Sequence, residues 1–136
     1  MGPAGIMHLP RLWMKLILKR RGALADEYSF TNRGITEWLT SAIGVDFDEL
    51  AAFVETSDPD YLTFERWVMA NAKHPTAEAI DAFHERIRTT KMPAPRGPDW
   101  QARFGLPATY DGAVALNDLD DWDVFHTELK RASAGA

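Results

Sequence analysis

The sequence predicts an all-α protein, and three observations carry that expectation. Apolar residues recur at helical spacing in one segment after another, capping residues stand at the ends of those segments, and no stretch of useful length alternates apolar with polar residues as a half-buried strand does. With 136 residues, 46% of them hydrophobic and 26% charged, the chain fits one ordinary globular domain. The expected form is a compact single-domain bundle of about five to seven short helices over residues 8–131, with a loose tail at 1–7, a loop at 92–98 and a frayed tail at 132–136.

The opening MGPAGIM holds small and breaker residues, hence the expected tail. A first helix begins near Leu9, with Pro10 in the first turn that tolerates proline, and stops near Gly22. Leu9, Leu12, Trp13, Leu16 and Ile17 form its stripe. Met14 and Leu18 fall outside that stripe, so the helix reads as apolar on more than one side and central. Ile35, Trp38, Leu39, Ala42 and Ile43 mark a second helix closed by Gly44. Asp46, with Glu49 three residues on, opens a third through a capping box, and its face is Phe47, Leu50, Ala51 and Val54. Asp58-Pro59 is the expected start of a fourth, covering Tyr61, Phe64, Trp67 and Val68. Thr76 caps a fifth carrying Ile80, Phe83 and Ile87. The MPAPRGP run from Met92 to Pro98 reads as a stiff loop. A short helix from Pro98 to Phe104 closed by Gly105, an irregular stretch with a brief extended piece, and a last helix capped by Asn117 and faced by Leu119, Trp122, Phe125 and Leu129 complete the chain.

Composition removes several classes of function. Without cysteine there are no disulfides, thiolate catalysis, cysteine zinc sites or iron–sulfur ligation. No apolar run approaches the roughly 20 residues that span a bilayer. The cations of the first apolar stretch mostly follow it, unlike a secretory signal, so a cytoplasmic protein is expected. A net charge of −5 argues against a general nucleic-acid binder. The charge is uneven: residues 1–21 carry five cations and no acid, while the remainder is −10. A basic element of this kind meets an anion, an acidic partner or the acidic remainder of its own chain. No glycine-rich phosphate loop, G-x-S-x-G or H-E-x-x-H occurs, and no cofactor is expected.

His8-Leu9-Pro10-Arg11-Leu12, then Lys15, Gly22 and Tyr28, resembles the opening of a family of small bacterial proteins, a domain of unknown function with an HLPR-x3-K start. Gly44-Val45-Asp46 and the tryptophan of Phe64-Glu65-Arg66-Trp67 are similar to it as well. The likeness covers the first half to two thirds of the chain and brings no function with it.

Two constellations carry chemistry. In the first, Arg11 and Lys15 lie one turn apart on one helix face and are the expected binding residues for a carboxylate or phosphate. His8, at the helix start where free N–H groups favour anions, and Tyr28, folding back beyond Gly22, are the expected catalytic pair. Together they describe a site for a small anionic molecule, with cofactor-independent acid–base chemistry of lyase or isomerase type if it is an enzyme. The alternatives are a solvated cationic face, or an interaction module presenting a basic helix to an acidic protein or nucleic acid. In the second constellation, Asp81-Ala82-Phe83-His84 and Asp123-Val124-Phe125-His126 are near copies on two helices. Paired carboxylate-x-x-His is the ligand spacing of di-iron bundles, although here the acid is Asp and no bridging Glu pair is evident. Histidines at the core edge satisfied by a neighbouring Asp explain the same letters. The acids Asp118, Asp120, Asp121 and Asp123 lack the Gly and Glu of a calcium loop and read as first-turn acids of the last helix. The five tryptophans are assigned mainly to packing.

Overall fold

The computed structural model describes residues 1–22 and 32–135. Among these the fold is all-α: α1 (Leu9–Arg20), α2 (Ile35–Ile43), α3 (Phe47–Ser57), α4 (Tyr61–Asn71), α5 (Ala77–Thr89), α6 (Arg96–Phe104) and α7 (Ala113–Ala134). The expected extended piece is reduced to one isolated bridge, Lys91 with Gly112. Contacts gather into two compact units, Met1–His84 and Glu85–Ala136.

In the first unit α1 packs against α3 and α4. Its buried stripe is Leu9, Leu12 and Leu16, while Met14 and Leu18 are 55% and 37% exposed, so only one side of the helix is core. Leu39 and Ile43 of α2, Leu50 and Val54 of α3, and Phe64 and Val68 of α4 are buried. Local chemistry sets the helix ends. The Asp46 carboxylate accepts from the Glu49 N–H at 2.9 Å, and Thr76 Oγ1 accepts from the Ala79 N–H at 3.1 Å, as the capping pattern predicts. Gly44 closes α2 in the left-handed region at φ 71°, where an added Cβ would stand 3.0 Å from both Lys73 and His74.

Two assignments shift by a few residues. Asp60, not Asp58, caps α4 and accepts from the Thr63 N–H at 2.7 Å. Asp58 instead ends α3 at φ 44°, a left-handed conformation that short polar side chains tolerate.

The stretch expected as a loose tail, residues 1–7, is held down. Ile6 is fully buried, the Ala4 N–H donates to Glu65 Oε1 at 3.0 Å, and the Met7 N–H donates to His84 Nε2 at 3.0 Å. Gly2 fits because a side chain there would overlap the Tyr61 ring and the Glu65 carboxylate.

In the second unit α6 packs against α7. The loop after α5 contains a cis Ala94–Pro95 peptide, and α6 starts at Arg96, inside the expected loop, with Pro98 still in its first turn. Gly105 closes it at φ 66°. α7 begins at Ala113 with Gly112 as its cap, five residues before the expected cap Asn117, and runs through to Ala134. Its first turn therefore holds no acid, and the four aspartates lie further along, where macrodipole stabilisation has faded. Leu116 and Asp120 are buried, but Trp122, Phe125 and Leu129 are 65%, 65% and 49% exposed, the reverse of the core role expected for them.

Candidate functional site

The residues singled out at the start of α1 are set by a strained backbone. His8 occupies the N-cap position at φ 70°, ψ −21°, one of only two non-glycine residues with positive φ among those described. Such a conformation is uncommon for a side-chain-bearing residue and persists only where its surroundings hold it. Those surroundings are visible. The preceding residue, Met7, is fixed through its N–H to His84, and the His8 ring Nε2 lies 3.1 Å from Thr36 Oγ1 on α2. Thr36 is buried, so the contact ties the ring to the core of the unit. The side chain makes no capping bond, and Pro10 offers no N–H.

Arg11 and Lys15 follow on α1 at i, i+4, both half-buried. His8, Arg11 and Lys15 thus begin one continuous element, as the sequence predicts. Tyr28, the fourth member, lies outside the described residues. The far end of the basic helix is neutralised internally: Asp58 meets Arg20 at 3.6 Å and Arg21 at 3.3 Å, and Arg20 Nε donates to the Glu55 carbonyl at 2.9 Å. An open surface groove of about 420 Å³ is lined by Leu16, Lys19, Ala51, Ala52 and Glu55, and it does not reach His8, Arg11 or Lys15.

Beside this region lies a polar centre that spacing did not reveal. Glu65, buried on α4, accepts from the Ala4 N–H and, at 2.7 Å, from the Tyr61 hydroxyl. Burial, then the hydrogen bond to Glu65, pushes the Tyr61 phenol well above its ordinary pKa. Trp13 stands edge-on to Tyr61 at 5.8 Å and donates its indole N–H to the Pro59 carbonyl at 3.0 Å. The signal available in sequence was a glutamate at the i+4 position from a tyrosine on an apolar helix face; its partner at residue 4 is too distant for periodicity to find.

The two Asp-x-x-His pairs fall in different units. His84 is buried, and because Nε2 accepts the Met7 N–H, its ring proton sits on Nδ1. Asp81 is exposed, and the Met7 N–H donates to the His84 ring from 77 residues away. In the second pair His126 is exposed and Asp123 is engaged by Arg103, which also meets Asp120 at 3.1 Å. The hydrogen bond to Asp123 is the largest influence raising the Arg103 pKa. Among the described residues no group of three or more His, Cys, Asp or Glu is placed to hold a metal ion.

The tryptophans sit at the margins of the core. Trp67 stacks on Phe53 at 4.9 Å, and Trp100 lies under Arg96 at 5.7 Å, but none of the five is fully buried. Among the described residues no helix is long and apolar enough to cross a membrane. No family model, curated protein or solved structure matches the chain.

Proposed function

We propose that the chain binds a small anionic molecule at the N-terminal end of α1. Arg11 and Lys15 supply its counter-charge and His8 a proton-carrying ring. One observation carries the reading: His8 is kept in a costly left-handed conformation, at about 1–3 kcal/mol, while the preceding Met7 is anchored through its N–H and the His8 ring meets Thr36. A turn by itself needs only a glycine there; the histidine adds the Thr36 contact and a proton-carrying ring. Tyr28 belongs to the proposal by its sequence position alone, as a phenol a few residues beyond Gly22. If the bound molecule is transformed, His8 and Tyr28 exchange protons with it without a cofactor, in the manner of a lyase or isomerase.

Calorimetric titration with inorganic phosphate and with succinate tests this. Arg11→Ala is expected to weaken binding by about 1.5–3 kcal/mol, the scale of a hydrogen bond to a charged group. Lys15→Ala weakens it less, since an ammonium lacks the planar fork. His8→Gly removes binding while holding the melting temperature, because relief of strain offsets loss of the Thr36 contact. A large fall in melting temperature for Arg11→Ala with unchanged affinity would make the cation structural and sink the reading.

A second reading, a docking face for an acidic protein, is favoured by the exposed pair Met14 and Leu18 among the cations of α1. Equal losses from Arg11, Lys19 and Arg21 that vanish at high salt would select it.

A further inference from the structure

We propose that the outer face of α7 is a self-association surface, on which a second copy of this chain lays its own α7 antiparallel. The helix has two faces. Ala113, Leu116 and Asp120 are buried along one side. Trp122, Phe125 and Leu129 are exposed, and at 3.6 residues per turn they point to the opposite side. From Phe125 to Gly135 no residue is buried. Trp122, Phe125, Leu129 and Ala132 have the three-four-three spacing of a coiled-coil seam two heptads long. A large apolar stripe on a helix otherwise dressed in charge marks a contact surface.

Size and charge along the helix select the occupant and its direction. Antiparallel pairing centred on Thr127 sets Trp122 against the small Ala132 of the other copy and Phe125 against Leu129, so that each large ring meets a smaller side chain. Parallel pairing stacks Trp122 on Trp122 and brings two Asp118 together at a seam position. Residues 113–123 carry Asp118, Asp120, Asp121 and Asp123 with no cation, whereas Lys130 and Arg131 stand in the second half. Arg103 already meets Asp120 and Asp123, and antiparallel pairing lays the half that keeps a net negative charge beside the half that keeps a net positive one, and opposes their dipoles. Glu128, the acid of the second half, brings its own counter-ion, since Arg131 donates to it at 2.6 Å. The surface is the same on both copies, so twofold symmetry closes the assembly as a dimer.

Sedimentation velocity of the full chain over a concentration series tests the proposal. The expected result is a reversible monomer–dimer equilibrium, with Trp122→Gln, Phe125→Gln and Leu129→Gln each raising Kd by about tenfold or more. Met14→Gln, at the other exposed apolar face, leaves Kd unchanged. All four variants should keep the parent circular dichroism, because the substituted side chains are exposed. Direction is read from disulfides, for which the chain supplies a cysteine-free background. An equal mixture of Phe125→Cys and Leu129→Cys variants should oxidise mainly to the mixed pair. A monomer at every concentration, a dimer indifferent to the three substitutions, or predominance of like-with-like disulfides overturns the proposal.

Discussion

In α1 the stripe Leu9, Leu12 and Leu16 is 1–3% exposed, while in α7 the stripe Trp122, Phe125 and Leu129 is 49–65% exposed. Both were read from sequence by the same rule, apolar residues recurring at three and four. The rule delivers a face and not the thing that covers it. α1 has α3 and α4 against its stripe; the part of α7 that packs uses the other side of the helix, where Ala113 and Leu116 sit. A second contrast follows the first. α1 is anchored by distant partners at its very start, whereas the buried residues of α7 all precede Asp121.

The sharpest way to break the contrast is one substitution made in both helices. Leu12→Ala is expected to cost about 2–5 kcal/mol in denaturant unfolding, through lost burial and the cavity left behind. Leu129→Ala, measured at a concentration where the chain is monomeric, should stay within about 0.5 kcal/mol. Similar costs for the two would mean that the α7 stripe is covered within the chain.

An intermediate effect is expected at the anchor of the first unit. Glu65→Ala removes the acceptor for both the Ala4 N–H and the Tyr61 hydroxyl, and the two part-buried donors left unsatisfied together cost about 1–3 kcal/mol. Amide hydrogen exchange should then speed up at Ala4 and Met7 before it changes in α3 or α4. Unchanged protection at Ala4 would show that the carboxylate does not hold the opening segment.

The smallest effect sharpens the same point through pH. The Tyr61 pKa is raised by burial and by Glu65, so the folded state favours the protonated phenol. Its contribution to stability is full below the unfolded tyrosine value of about 10 and is lost as pH rises beyond it toward the higher folded value. Phenolate absorbance should show a component titrating above the free-tyrosine value, absent in Tyr61→Phe. A titration in which Tyr61 is indistinguishable from a free tyrosine would place that ring in water.

What the sequence disclosed is what local chemistry decides. Asp46, Thr76, Gly44 and Gly105 act within a turn of where they stand, and their assignments as helix ends agree with the structure. Asp58 and Asp60 are two residues apart and both are good caps, so the choice between them depended on where α3 ended. The start of α7 was placed late because its glycine cap gives no side-chain signal and Asn117 gives a false one. In the candidate site, His8, Arg11 and Lys15 were legible because one helix carries them. Thr36 and Glu65 were not, nor was the pairing of His84 with Met7, since these partners lie 28, 61 and 77 residues away. The small residues of 1–7 looked like a tail for the reason that makes them fit: Gly2 is small enough to lie against Tyr61 and Glu65.

The bonds from Ala4 to Glu65 and from Met7 to His84 also set an order of events during synthesis. The chain grows from its amino end at about 5–20 residues per second, so residues 4–8 wait several seconds before His84 exists to receive them. Until then Ile6 has no completed core to enter, and of the two contacts that hold His8 left-handed only the one with Thr36 can form. Residues 4–8, made before their partners, are therefore among the last of their unit to reach their final places, and the proposed anion site is finished only when α5 is.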